Sequence, residues 1–344
     1  MSLYRDLAPE SDIIKNMKQI VSSGMWSGGI GTLTTFFTGS AQSSSNGQYY
    51  YDVYKTDPAS DNEAEVQFAV TYGHVEGSGS SGNVGTATGN RSTAAIAGQF
   101  AGVLLGPGTS KFTFAPSKIK KDFYAISINR NRVREKVDPG NWELKLVKGA
   151  KTTHLIDDSG ATTNPSVGAG GRVFNIVSGS IAGGVAVIET AAASETSTGC
   201  PGIFYPDLGV FILNADWLDA AGNLAIATSK TEGSVSPHGN NAQRLLDAID
   251  DGASFASRRE ENISSTHYFC RVNNKEFNFS TNPTFFTGSD GSLTIPSFFK
   301  DPKTYITTVG LYNKSNELLA VAKLSKPLLK SYAREAIIKV KLDF

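Results

Sequence analysis

The stretch that most constrains the fold lies at residues 304–327 and reads TYITTVGLYNKSNELLAVAKLSKP. Two β-rich runs, residues 305–312 and 317–324, flank the polar turn Asn-Lys-Ser-Asn at 313–316. A short polar turn between two such runs predicts a β-hairpin. Because the second run is almost entirely apolar, we expect that arm to be buried on both faces.

A further strand pattern follows in EAIIKVKLDF at residues 335–344. Apolar Ile338, Val340 and Leu342 alternate there with charged Lys339 and Lys341. A period of two places the apolar side chains on one face of a strand. We expect this strand and the hairpin to build one C-terminal sheet.

The composition suits a chain made mainly of strands and turns. Glycine is abundant, with 35 in 344 residues against a usual share of about 7%, and only 19% of the residues are charged. These features predict a mainly β, α+β fold of antiparallel sheets or a β-sandwich, with a few short helices. Changes in composition and in the predicted elements along the chain indicate three segments: an N-terminal core segment at 1–118, a β-rich inserted domain at 119–199, and a C-terminal core segment at 200–344.

One of the short helices is expected near the N-terminus, in APESDIIKNMKQIVSSG at residues 8–24. Its apolar residues recur at the spacing of a single helical stripe, namely Ile13, Ile14, Met17, Ile20 and Val21. Pro9 suits a first helical turn and Gly24 follows the last apolar position.

Two further helices are predicted later in the chain. Residues 93–105, TAAIAGQFAGVLL, form a long run of small and apolar residues. Residues 239–252, GNNAQRLLDAIDDG, carry the stripe Leu245, Leu246 and Ile249 between capping asparagines and a terminal glycine.

Motifs for catalysis or cofactor binding find little support. GSGSSG at 77–82 has the spacing of a dinucleotide-binding loop, but ten mostly polar residues separate it from the next helix, so we interpret it as a loop. Neither a Walker A motif nor a nucleophile elbow is present. The pairs Asp157-Asp158 and Asp250-Asp251 stand beside Ser-Gly and Gly, which is typical of turns. We therefore expect neither an enzyme nor a bound cofactor.

Cysteine and histidine patterns argue against a metal site. Cys200 and Cys270 are the only cysteines, and we interpret them as partly buried thiols of a protein made in a reducing cytoplasm. The four histidines show no zinc-binding spacing. The sequence contains no apolar run long enough to span a membrane, and its first residues lack the pattern of a secretory signal.

The best candidate for a binding surface is basic. Arg130, Arg132, Arg134 and Lys136 alternate along a segment that we expect to be extended. Residues 111–151 hold eleven Lys or Arg against four Asp or Glu, whereas residues 48–76 are acidic. Opposed charge on a chain with zero net charge favours docking to protein partners. Nucleic acid is the weaker alternative, because no aromatic stacking platform accompanies the basic residues. A third interpretation is that these residues form a solvent-exposed strand face with no partner.

Several segments resemble large virion structural proteins of T4-like contractile-tailed bacteriophages, especially those that infect cyanobacteria. The resemblance rests on stretches that run in order along most of the chain, and it is weakest at 150–200. The stretches are SSGMWSGGIGTLTTFFTGS with GQYYYDVY, AEVQFAVTYGHVEGSGS, DPGNWELKL, FYPDLGVFILN, ISSTHYFCRVNNKEFNFSTNPTF, and the hairpin itself.

The resemblance implies a structural subunit of the tail, with the baseplate wedge as the first placement and a neck, collar or fibre-attachment protein as the alternative. It implies a virion protein made in the host bacterial cytoplasm, within a large hetero-oligomeric assembly. Its partners would be other tail and baseplate proteins, with tail fibres as a further candidate and no nucleic acid. The loops at 77–92 and 159–171 are candidates for ordering by such partners.

Two other functions remain open. A tail-associated hydrolase of cell wall or polysaccharide would need a pair of carboxylates with raised pKa values in a groove. A glycan- or receptor-binding protein would present exposed aromatic side chains on one face, for which Tyr49, Tyr50 and Tyr51 are the candidates.

Overall fold

The protein is described from a computed structural model, which covers residues 4–39, 50–77, 92–161, 165–195, 197–220, 223–224, 239–287 and 291–343. Strands make up most of its regular structure. In chain order the strands are β1 (Ile13–Gly24), β2 (Thr32–Leu33), β3 (Phe37–Thr38), β4 (Tyr50–Tyr54), β5 (Val66–His74), β6 (Thr113–Phe114), β7 (Lys118–Ile119), β8 (Asp122–Ile128), β9 (Lys136–Lys148), β10 (Lys151–Asp157), β11 (Ser166–Gly168), β12 (Gly171–Ala182), β13 (Val185–Thr190), β14 (Gly202–Tyr205), β15 (Val210–Asn214), β16 (Phe255–Val272), β17 (Phe286–Thr287), β18 (Ser292–Leu293), β19 (Thr304–Tyr312), β20 (Leu318–Lys330) and β21 (Ala336–Asp343). The α-helices of the described residues are α1 (Ser92–Leu104), α2 (Arg130–Val133), α3 (Ala215–Asp219) and α4 (Gly239–Gly252). A mainly β, α+β fold is thereby confirmed.

The chain divides into two compact units. The central unit is Ile20–Glu261, and the terminal unit combines Met1–Gln19 with Asn262–Phe344. This division differs from the predicted boundaries at 118/119 and 199/200. Both boundaries fall within one sheet, since β8 pairs with β5 on one side and β15 on the other, and β12 pairs with β14. Backbone hydrogen bonds therefore tie the three predicted segments together.

The central unit is built on a broad antiparallel sheet. Its strands lie in the order β9-β10-β12-β14-β15-β8-β5-β4-β3, and the first half of β16 pairs with β9. Neighbouring residues of the middle strands point to opposite faces, and both faces are buried. In β15, Phe211 and Leu213 join one cluster of buried apolar residues while Ile212 joins the other. Burial on both faces explains why these strands read as continuous apolar runs.

One helix covers each face of this sheet. The stripe Leu245, Leu246 and Ile249 of α4 is buried in the larger cluster, and Ala97 and Leu104 of α1 belong to the second. The prediction of these two helices is confirmed, and α4 lies at the position expected from the sequence.

The predicted N-terminal helix is wrong, because residues 13–24 form strand β1 beside β16. The amide of Phe269 donates to the carbonyl of Asp12 over 2.8 Å. Two residues of the expected apolar stripe are exposed, Ile14 to 47% and Ile20 to 65%. The β-branched residues of this segment favour extended backbone, and a neighbouring strand supplies the backbone partners that a helix would find within itself.

In the terminal unit, the second half of β16 pairs with β21, while β19 and β20 form a separate two-stranded sheet. The hairpin is confirmed at its predicted position. The expectation of a single C-terminal sheet is wrong, because β21 takes β16 rather than the hairpin as its partner. β21 keeps its predicted alternation, with Val340 buried between exposed Lys339 and Lys341.

Within the described residues, no helix is long and apolar enough to cross a membrane.

Candidate docking surfaces

The predicted basic surface is folded differently from the expected extended segment. Residues 130–133 form the short helix α2, whose start is capped by Asn129: the Asn131 amide donates to Asn129 Oδ1 over 3.0 Å. The side chain of Asn129 also donates to the carbonyl of Val66. Val133 anchors the turn in the core, and Arg134 ends it with a φ of +56°. This turn stops the arginines from lining one face of a strand.

Three of the four predicted docking residues bind carboxylates of the same unit. Arg132 Nη2 lies 2.9 Å from Glu65 Oε2, and Lys136 Nζ lies 2.7 Å from Glu260 Oε1. Arg134 Nη1 lies 3.1 Å from Glu261 Oε1, which also accepts from Arg259. The partners Glu260 and Glu261 stand more than a hundred residues away in the sequence.

Arg130 is the exception, because it binds main-chain oxygens. Its Nη1 donates to the carbonyl of Asp207 over 3.1 Å and approaches that of Glu135. Arg130 and Arg134 are exposed, whereas Arg132 and Lys136 are partly covered. The first two can therefore reach a partner protein, and the other two act mainly within the fold.

A further guanidinium, that of Arg259, lies beside the basic turn and shares Glu261 with Arg134. The Arg259 side chain is 14% exposed and its Nε donates to Ser23 Oγ. Burial and the neighbouring charge of Arg134 lower the pKa of Arg259, while Glu261 acts in the opposite direction. Glu261 thus holds two guanidiniums together.

Most carboxylates described in the acidic region at 48–76 also bind partners within the central unit. Asp57 and Asp61 accept main-chain amides of the residues two places further on, as turn-forming aspartates do. Glu65 binds Arg132, and Glu76 binds Lys121 over 2.8 Å. The opposed charges seen in the sequence therefore partly neutralise each other inside the central unit.

The first aspartate pair ends β10 and leads into a turn, whereas Asp250 and Asp251 lie in the last turn of α4, so the turn predicted for the second pair is wrong. Burial raises the pKa of Asp157, but its carboxylate accepts the amides of Gly140 and Ser159. Asp158 accepts both the amide and the side-chain nitrogen of Asn175. These hydrogen bonds join β9, β10 and β12. Burial and the neighbouring Asp251 raise the pKa of Asp250, which lies near the end of α4.

Metal-ligating and thiol residues are dispersed. The described residues contain no group of three or more histidine, cysteine or acidic side chains that could hold a metal ion. His154 contacts Glu143, with 2.6 Å between Nδ1 and Oε1, and Cys200 and Cys270 are free thiols. Burial raises the pKa of Cys200 to about 11. Of the GSGSSG loop, only Gly77 lies within the described residues.

The tyrosine candidates do not share a face. Tyr51 is 7% exposed and belongs to the core of the central unit, whereas Tyr50 is 52% exposed. Consecutive strand residues point to opposite faces. Tyr49 lies outside the described residues.

The hairpin of the terminal unit is a surface that the sequence reasoning missed. Its second arm was expected to be buried, but Leu318, Leu319 and Val321 are 52%, 68% and 60% exposed. That expectation is wrong because β20 has only β19 beside it in the described structure. An apolar run signals burial only where the fold supplies something to cover it.

Aromatic residues extend this surface. The rings of Tyr4 and Tyr312 meet edge-on with their centres 5.0 Å apart. Tyr312 also lies over Gly310, where a Cβ atom would stand 2.8 Å from Cε2 of its ring. Both tyrosines are about half exposed, and so is Leu318, which lies opposite Tyr312 in the hairpin.

The terminal unit as a whole exposes more large apolar side chains than it buries. Four apolar side chains are buried among its described residues: Val272, Phe285, Leu311 and Val340. Thirteen large apolar side chains are exposed: Tyr4, Ile14, Phe277, Phe279, Ile295, Phe299, Tyr305, Tyr312, Leu318, Leu319, Val321, Tyr332 and Ile337. Because large exposed apolar patches are typical of interaction sites, this surplus makes the terminal unit the best candidate docking surface.

Comparison with known proteins finds no matching family model, no matching curated protein and no matching solved structure.

Proposed function

We propose that this protein is a structural subunit of a contractile bacteriophage tail, and that it docks neighbouring proteins within the baseplate wedge. The placement rests on the resemblance of its sequence segments to T4-like virion proteins. A neck, collar or fibre-attachment position is the alternative within the same particle.

The exposed apolar surface of the terminal unit carries the proposal that the protein works by assembly. Among the described residues of this unit, thirteen large apolar side chains are exposed and four apolar side chains are buried, and leaving the exposed ones in water is costly. Burial in an interface removes that cost. A protein that works as a free monomer would leave this apolar surface in water, whereas an assembly protein buries it against a neighbouring subunit.

A role in chemistry or in glycan binding has weaker support. Of the two aspartates whose pKa values burial raises, Asp157 has its carboxylate engaged by two main-chain amides, and Asp250 lies in the last turn of α4. Tyr51 is packed in the core rather than displayed beside Tyr50. Neither feature resembles the groove or the aromatic platform that these functions need.

The test is to locate the protein in purified phage particles. Antibodies against the chain, visualised by electron microscopy, are expected to label the baseplate of intact tails, and the chain is expected to co-purify with tail proteins. Label on the neck would favour the alternative position. Absence of the chain from tails would refute the proposal, as would glycan or peptidoglycan hydrolysis that a single carboxylate substitution abolishes.

A further inference from the structure

The outer edge of β20 is open to a further strand. In the described structure β19 and β20 pair only with each other. An unpaired edge presents a row of free amide and carbonyl groups that another strand can bind. A two-stranded sheet alone is of marginal stability in water, so an added strand also stabilises the hairpin.

Residues that discourage edge pairing stand in only one half of β20. Lys326 and Pro327 stand in its second half, where lysine and proline commonly discourage edge pairing. The first half, Leu-Leu-Ala-Val-Ala at 318–322, has neither. The side chains of Leu318, Leu319 and Val321 are all exposed there.

The charges that flank this apolar run are self-complementary. Glu317 and Lys323 each stand three residues from Ala320, on opposite sides. When two copies of the run pair antiparallel about Ala320, Glu317 of each copy lies opposite Lys323 of the other. Opposite charges at facing positions stabilise a strand pair, whereas parallel pairing in register would set like charges against each other.

Both charged residues are free to make these contacts. Lys323 forms no ion pair within the stretches of chain that the structure describes. Glu317 contacts the side-chain nitrogen of Asn313 through Oε2, which leaves Oε1 for a partner. The same register sets Leu319 of one copy opposite Val321 of the other, so the exposed apolar side chains cover each other.

We propose that the occupant of this edge is a second copy of the chain. The two β20 strands pair antiparallel about Ala320, and the two hairpins join into one four-stranded sheet. The contact is isologous, because each copy offers the same strand to the other. This dimer is independent of the proposed position in a phage tail.

Charge exchange tests the dimer in the purified protein. Wild-type chain is expected to sediment as a concentration-dependent dimer that weakens with salt. Lys323→Glu alone sets Glu against Glu at both ends, and Glu317→Lys alone sets Lys against Lys. Each single variant is expected to raise the dissociation constant by about tenfold or more. Lys326→Glu, which lies beyond the paired run, serves as the matched control and is expected to dimerise as the wild type does.

Two combinations separate pairing from damage to the fold. The double variant Glu317→Lys with Lys323→Glu restores opposite charges and is expected to dimerise. An equimolar mixture of the two single variants is expected to form mixed dimers, since each chain then meets its complement. Circular dichroism of each variant checks that the monomer is folded.

A wild-type chain that stays monomeric at hundreds of micromolar would overturn the proposal. So would single variants that dimerise like the wild type, or a mixture that stays monomeric. These results would leave the particle-labelling test of the tail role untouched, because that test does not depend on self-association.

Discussion

Replacing Lys136 by methionine distinguishes a structural role for the basic turn from a docking role. Lys136 Nζ lies 2.7 Å from Glu260 Oε1, and the two side chains are 16% and 10% exposed. Methionine keeps the length and most of the volume of the lysine stem. The substitution therefore removes the charge and leaves Glu260 covered without its partner.

The expected loss follows from this geometry. At 2.7 Å and an effective dielectric constant of ~20, the attraction between the two charges is about 6 kcal/mol before desolvation is counted. Breaking a buried pair by removing one partner typically costs about 3–5 kcal/mol. Because this pair keeps some contact with water, we expect the free energy of unfolding to fall by about 3 kcal/mol.

Urea denaturation followed by tryptophan fluorescence measures this loss. Trp26, Trp142 and Trp217 are the three tryptophans of the chain, and each is buried in the central unit. Arg130→Met is the matched control, because exposed Arg130 contacts only main-chain oxygens among the residues that the structure describes; we expect a change within about 0.5 kcal/mol. The double variant Lys136→Met with Glu260→Met should recover most of the lost stability, since neither charge is then left alone.

A denaturation midpoint for Lys136→Met that equals the wild-type value would refute this reasoning. It would mean that water screens the pair despite its burial, and that Lys136 is free to serve a partner protein. Simultaneous charge reversal of Arg130, Arg132 and Arg134 could not make this distinction, because it would set two new carboxylates against Glu65 and Glu261.

Two further predictions concern the terminal unit. Lys330 is fully buried and its Nζ donates to the carbonyl of Asn274, to Asn278 Oδ1 and to the carbonyl of Ser331, so Lys330→Met should destabilise this unit by about 2–4 kcal/mol. Hydrogen exchange of the β19 and β20 amides should accelerate, while the exposed control Lys326→Met should leave it unchanged; protection equal to the wild type would contradict the role of Lys330. The second prediction is pH-dependent. The Ala8 amide, followed by Ser11 and Arg271, lowers the pKa of Asp12 below its ordinary value of 3.8. The stability that Asp12 contributes is therefore present above about pH 4 and lost as the pH falls through the lowered pKa. Exchange of the Phe269 amide, which binds the Asp12 carbonyl, should rise in that range, and Asp12→Asn should flatten the response; an unchanged acid profile in this variant would count against it.

Local signals in the sequence were sufficient for several elements. The α4 stripe Leu245, Leu246 and Ile249 predicts a helix at the observed position, because helical periodicity and a terminal glycine agree there, although the helix begins at Gly239, before the asparagines expected to cap it. The β19–β20 hairpin was predictable for a similar reason, since its turn joins neighbouring segments. The signals at residues 8–24 were ambiguous, because the same apolar residues fit a helical stripe and a strand rich in β-branched residues.

The candidate surfaces were less predictable. The spacing of Arg130, Arg132 and Arg134 suggested one basic face, yet Asn129 starts a helical turn and distant glutamates bind two of the arginines. No local pattern reveals that Glu260 and Glu261 come to lie beside this turn. Pairing between β9 and β16 brings them there, with Glu260 directly opposite Lys136.

The sequence by itself determined a β-rich chain with a hairpin at 304–327 and helices at α1 and α4, because turn chemistry and periodicity act over a few residues. Only the tertiary structure decided which apolar side chains are covered. Leu213 of β15 and Leu319 of β20 both stand in apolar runs, but the first is 1% exposed and the second 68%. Burial depends on neighbours that are remote in sequence: β15 lies between β14 and β8, while β20 has β19 alone in the described structure. The same apolar pattern therefore builds the core of the central unit and the exposed edge of the terminal unit.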